Sequence, residues 1–195
     1  MTEPIMPADL LEAWERSYGD APLLAHVLRE RLRPRWFRVH SLPSGKRYAT
    51  TDDERAELLR RQNELITDVI GDGAPCRFIF GYYDEEAQLP DDVASALRAL
   101  APEFLTTIES RDAGTVEAYP LMLASLTWEP HSLDPILLAV ADDVLETPLL
   151  VSADLQRLVA PYDGGVDVIV ETPERRSELA RHFNRGLFRQ YQRGA

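Results

Sequence analysis

One cysteine, Cys76, and one lysine, Lys46, stand in a chain of 195 residues. A lone cysteine excludes an intramolecular disulfide and any cysteine-built zinc site. The four histidines, His26, His40, His131 and His182, do not pair at ligand spacing on one predicted element, so neither metal nor cofactor is expected. No apolar run approaches the roughly 20 residues a bilayer span needs. The first residues, MTEPIMPADLLEAWERSYGD, lack the basic-then-apolar layout of a secretory signal, and a cytoplasmic location away from membrane is expected. The chain has no G-x-S-x-G elbow, no H-E-x-x-H, no G-x-x-x-x-G-K-[ST] loop and no G-x-G-x-x-G fingerprint. Basic residues are also in deficit, 21 against 33 acids, for a formal charge of -12. That balance argues against a protein whose main work is covering nucleic-acid phosphates.

With 45% hydrophobic residues and roughly 150 residues per domain, residues 1–195 read as one domain with an ordinary core, residues 1–33 forming a helical cap. Charge is unevenly placed. Arg29 to Arg47 carries seven basic residues against Glu30, whereas Asp84 to Glu146 carries 14 acids against Arg98 and Arg111. Either the two kinds of segment face each other within the fold, or an acidic face meets a basic protein partner while a separate basic site takes an anion.

The pattern predicts two N-terminal helices, with Leu10, Leu11 and Trp14, then Leu24, Val27, Leu28 and Leu32, at helical spacing. Pro34 ends the second, and Arg35–His40 reads as a strand with Trp36, Arg38 and His40 on one face. Thr51-Asp52-Asp53-Glu54 has the form of a capping box opening a helix that Gly71 and Gly73 stop. Strands are expected over Cys76–Tyr83, Phe104–Ile108, Leu121–Trp128 and Leu149–Ser152, and a helix with Pro90 as its first residue. Periodicity leaves Pro135–Val140 open between strand and short helix. Leu155–Tyr162 and Val166–Val170 form a hairpin around Asp163-Gly164-Gly165, where positive φ is anticipated. Thr172-Pro173-Glu174 caps a last helix with Leu179, Phe183, Leu187 and Tyr191 inward. The fold class is α+β, a mostly antiparallel sheet packed by helices.

Candidate chemistry concentrates in two places. Arg38 and His40 lead into a loop with Lys46, Arg47 and Tyr48 that approaches a helix N-terminus, a setting suited to an anion. Pro43-Ser44-Gly45-Lys46-Arg47 echoes a phosphate loop in Gly-Lys alone, with arginine where the magnesium-binding hydroxyl would stand. Asp167 faces away from Val166, Val168 and Val170, while Asp163 suits the turn itself. Cys76 and the pairs Asp52/Asp53 and Asp91/Asp92 are explained by burial and by helix dipoles. Asp142/Asp143, ending an apolar run, is a weaker candidate for a divalent cation.

Three stretches, Trp36–Pro43 with Lys46-Arg47-Tyr48, Arg60-Arg61-Gln62-Asn63 and Pro161–Val168, together resemble an uncharacterised bacterial domain family of unknown function. The resemblance implies no activity; it points to the segment Arg38–Tyr48 and the hairpin residues Tyr162, Asp163 and Asp167 as the site. The function expected first is a non-catalytic protein-binding module, immunity-like or regulatory, meeting a basic partner through Asp84, Glu85 and Glu86. The alternative is an enzyme or small-ligand protein holding a phosphate-bearing ligand near Arg38, His40, Lys46 and Arg47.

Overall fold

The computed structural model describes residues 6–81, 89–112, 115–145 and 148–189. The acids Asp84, Glu85 and Glu86 lie outside the described residues. The helices are α1 (Pro7–Tyr18), α2 (Ala25–Arg31), α3 (Asp52–Ile70), α4 (Asp91–Ala99), α5 (Asp134–Ala141) and α6 (Pro173–Arg189). The strands are β1 (Trp36–His40), β2 (Pro75–Gly81), β3 (Glu103–Asp112), β4 (Thr115–Thr127), β5 (Leu149–Ser152), β6 (Leu158–Tyr162) and β7 (Gly165–Ile169). They form one antiparallel sheet in the order β1-β7-β6-β5-β2-β4-β3. The α+β class follows.

Alternation along the strands divides the side chains between two faces. Phe37, Val39, Phe78, Val166 and Val168 join Leu65, Ile66, Leu97, Ile136 and Leu179 in the larger core, under α3, α4, α5 and α6. Ile79, Leu121, Leu123, Leu158 and Ile169 face the other way, under Leu10, Trp14 and Leu28 of α1 and α2. The open segment Pro135–Val140 is helical. Pro135 sits in its first turn, and Ile136, Leu137, Ala139 and Val140 are all buried, so burial on every side erased the amphipathic period.

Local chemistry explains α3. Thr51 Oγ1 accepts from Glu54 N at 3.2 Å, while the Glu54 carboxylate turns back to Thr50 N at 2.8 Å, one residue earlier than a standard capping box. At its far end Arg157 donates to the Val69 and Ile70 carbonyls at 3.0 and 3.3 Å. Those are acceptors that a helix C-terminus leaves free. Pro90 precedes α4 in extended conformation, so the helix begins at Asp91.

The hairpin forms as expected, but for a different reason. Tyr162 pairs with Gly165, leaving Asp163-Gly164 as the loop, yet neither glycine there adopts the left-handed region. What Gly165 supplies is space, because a Cβ would stand 2.3 Å from the Val39 carbonyl oxygen. Hydrogen-bonded pairing with β1 at this register leaves no room for a side chain.

Candidate functional site

Cross-strand register assembles the site. β1, β7 and β6 place Trp36 level with Ile169 and Leu158, Arg38 with Asp167 and Ala160, and His40 with Gly165 and Tyr162. All nine lie on the face that α1 and α2 cover, and the polar ones gather toward the end of β1. Arg38 holds Asp167 through a two-pronged pair, Nε to Oδ1 at 2.7 Å and Nη2 to Oδ2 at 2.9 Å. Asp167 is only 8% exposed, so this pairing is what makes a carboxylate tolerable on the sheet face. The Arg38 guanidinium carbon lies 4.8 Å from the Tyr162 ring centre and 5.6 Å from that of Trp36. Arg29, arriving from α2, stands 5.8 Å from the Trp36 ring centre and 3.8 Å from Asp167. The result is a stack of alternating guanidinium and aromatic planes.

A second layer adjoins it. Asp163, in the hairpin loop and 7% exposed, accepts from Arg47 Nε and from the Tyr48 hydroxyl at 3.0 Å. Arg47 covers the Tyr48 ring at 5.4 Å, and a Cβ at Gly164 would meet Arg47 Cγ at 3.7 Å and the Tyr162 ring at 3.0 Å. The loop after β1 is thereby laid over the hairpin turn. The hydrogen bond to Asp163 raises the Tyr48 phenol above its usual pKa, and burial does the same for Tyr162. His40 is exposed at the end of β1, with Gly45 beside its ring at 3.9 Å from an ideal Cβ.

The eight ligand-site candidates named from sequence fall at this end of the fold, but they are not a set of free cations. Arg38 is held by Asp167, Arg47 by Asp163, and Lys46 by Glu54 at 2.6 Å; Arg31 meets Asp20 and Arg29 meets Glu30 nearby. Glu54 consequently has its pKa lowered to about 2, chiefly by the hydrogen bond from Lys46. Lys46 points to α3 and its Glu54, and so belongs to the helix start and not to the stack.

Sequence reasoning left out two members, Trp36 and Arg29, as ligand-facing residues. Trp36 was placed on the right face, so strand alternation already carried the signal. Arg29 comes from a separate helix, and only tertiary packing brings it in. The indole N–H of Trp36 is buried without a hydrogen-bond partner among the described residues. Such an orphan donor inside an arginine cluster leaves donors in excess of acceptors.

Elsewhere, Cys76 is buried and its thiol is pushed up to about 12 by desolvation, which makes it a poor nucleophile. Both Asp142 oxygens are taken by Arg55 at 2.9 and 3.2 Å, and no metal-holding group occurs among the described residues. His131 and Asn63 meet around Asp134, with Asn63 Nδ2 donating to Asp134 Oδ1 at 2.7 Å and His131 N donating to Asn63 Oδ1 at 2.6 Å. This cluster locks the turn before α5. His26 and His182 are both exposed, the latter edge-on to Phe183 at 4.8 Å.

Two of the three stretches that carry the resemblance noted above, Trp36–Pro43 with Lys46-Arg47-Tyr48 and Pro161–Val168, supply the hairpin and every member of the stack except Arg29. A family profile described as a domain of unknown function, DUF3885, matches residues 24–189. The chain belongs to the DUF3885 family. The matched region contains the whole sheet and α2, hence Arg29, Trp36, Arg38, Arg47, Tyr162, Asp163 and Asp167 together, and it begins after α1. No curated protein and no solved structure matches the chain. Among the described residues, no helix is long and apolar enough to cross a membrane.

Proposed function

We propose that this DUF3885 protein is a non-catalytic binding module, regulatory or immunity-like, whose recognition surface is the guanidinium–aromatic stack at the end of β1. One observation carries the reading: each arginine of the stack is already fixed by a carboxylate, and the whole is built from tryptophan, tyrosine and arginine. These residue types dominate the energetics of protein interfaces. Their side chains are held before any partner arrives, so little ordering entropy is lost on binding. One-to-one pairing also leaves little net positive field here, which is a poor basis for capturing a phosphate-bearing metabolite. The expectation of a basic partner meeting Asp84, Glu85 and Glu86 rests on charge along the chain, whereas the stack rests on geometry; the surface proposed is therefore the stack.

The test is capture of the tagged protein from nuclease-treated host lysate, with the bound proteins identified by mass spectrometry. Three proteins are compared: the unaltered chain, Arg47→Glu with Tyr48→Ala, and a charge reversal of Asp84, Glu85 and Glu86. Arg47 and Tyr48 are exposed side chains, but the double variant removes both partners of the buried Asp163, so its folding is verified by thermal unfolding before capture is compared. A stoichiometric partner lost only from that variant supports the proposal. A partner lost only from the acid reversal moves the interface to the acidic segment. Capture of nothing by a folded protein overturns the module reading and directs attention to metabolites near Arg38.

A further inference from the structure

Around Trp36 the fold offers more hydrogen-bond donors than acceptors. The indole Nε1 is buried and unpaired among the described residues, which costs more than an apolar ring of the same shape would. Arg29, whose guanidinium lies over that ring at 5.8 Å, is only partly satisfied. Its Nε reaches Glu30 at 3.3 Å, longer than charge-assisted hydrogen bonds normally run, and its Nη1 stands 3.8 Å from Asp167. Among the described residues, neither Nη group of Arg29 makes a hydrogen bond. We infer that Arg29 and the Trp36 indole together form a seat for one carboxylate of a partner protein, an acidic side chain or a chain terminus. The inference rests on the reading of the stack as a protein-binding surface and adds the chemistry of the group it takes.

Hydrogen bonding, charge and mobility select that chemistry. Both Asp167 oxygens are taken by Arg38, so a group bearing its own donor would leave it unpaired, whereas a carboxylate brings acceptors alone. Charge points the same way. Arg29 and Arg38 set two positive charges against the one of Asp167, and Glu30, at 65% exposed, is screened by water. The surplus of one is cancelled by a monoanion; a phosphate monoester, with about two negative charges at neutral pH, exceeds it. Arg29 is also free to move. It is 30% exposed on a long stem, so its guanidinium can lift from the ring onto an incoming carboxylate, with the indole N–H giving the second hydrogen bond. Arg38 stays in place, clamped to a carboxylate that is 8% exposed.

The contrary view is that Arg29 and Trp36 are ordinary packing whose free donors meet only solvent. The indole N–H resonances of the isotope-labelled full chain separate the two. Trp14, Trp36 and Trp128 give one signal each, and Trp36→Phe identifies the one concerned. Sodium acetate, titrated against sodium chloride at equal ionic strength, is expected to move the Trp36 signal saturably. The signals of Trp14 and Trp128, already bonded to Ala21 O and Thr67 Oγ1, should stay in place. Arg29→Gln should weaken the acetate midpoint at least about tenfold, the worth of one hydrogen bond between charged groups. No saturable shift, an unchanged midpoint in folded Arg29→Gln, or tighter binding of inorganic phosphate overturns the proposal. N-acetylglutamate amide and N-acetylalanine, titrated likewise, tell a side-chain from a terminal carboxylate by which binds more tightly; binding of neither overturns it too. In lysate capture, Arg29→Gln and Trp36→Phe should each lose most of the partner. A partner lost with Arg47→Glu and Tyr48→Ala but fully retained by these two overturns the carboxylate seat and leaves the binding-module reading standing. Capture of no partner overturns that reading instead, and the acetate titration decides the seat independently.

Discussion

Gly165 and Asp167, two residues apart on β7, are constrained for unlike reasons. At Gly165 the constraint is space, since a Cβ would press on the backbone oxygen of Val39, which cannot swing aside as a side chain can. Gly165→Ala is expected to destabilise the fold by about 2–3 kcal/mol, at the upper end of overpacking effects. Gly164→Ala meets the Tyr162 ring instead and should be milder. Urea unfolding of both variants checks the order; equal losses would remove the steric account. At Asp167 the constraint is charge. Asp167→Asn removes the ionised acceptor of two hydrogen bonds, but Arg38 is partly exposed and can turn to water. The expected loss is therefore about 1–2 kcal/mol, readable in the same urea experiment. Residue types made these positions visible from sequence. The pairing of each aspartate with its own arginine was not visible, because partners more than 100 residues apart meet only through the sheet.

At the scale of elements, the start of α3 is an acid-sensitive joint. Lys46, Thr50 and Glu54 close the loop that follows β1 onto the helix. The Glu54 carboxyl has its pKa lowered in the folded protein from an ordinary 4.5 to about 2. A depressed acid stabilises the fold above its unfolded pKa and loses that contribution as pH falls through the folded value. The difference in Tm between the unaltered chain and Glu54→Gln should thus be full above pH 4.5, shrink on acidification and vanish near pH 2. A difference independent of pH would show that the pair contributes nothing through ionisation. Helix α3 was readable because its caps, its amphipathic stripe and its glycine stop all agree. Helix α5 was not, since an element buried on all sides carries no period to read.

At the scale of the molecule, helices lie on both faces of one antiparallel sheet and bury Cys76 on the interior strand β2. With its thiol pushed up to about 12, Cys76 should resist a thiol reagent at neutral pH in the folded protein and react at once in denaturant. Rapid labelling of the native chain would place Cys76 in a segment that opens locally.

Composition, alternation and turn residues by themselves determined the α+β class, the antiparallel hairpin and the face shared by Trp36, Arg38 and His40, while the resemblance pointed to the neighbourhood of the candidate site. These are short-range properties, set by what each residue prefers and by periods of 2 and 3.6 along the chain. The tertiary structure alone decided the order of the strands, the arrival of Arg29 from α2 and the seating of α1 on β3. It also decided that five of the seven basic residues from Arg29 to Arg47 meet a carboxylate, in Glu30, Asp20, Asp167, Glu54 and Asp163. A charge count along the chain weights every residue alike, whereas electrostatic energy falls with distance in space, and only the fold assigns those distances.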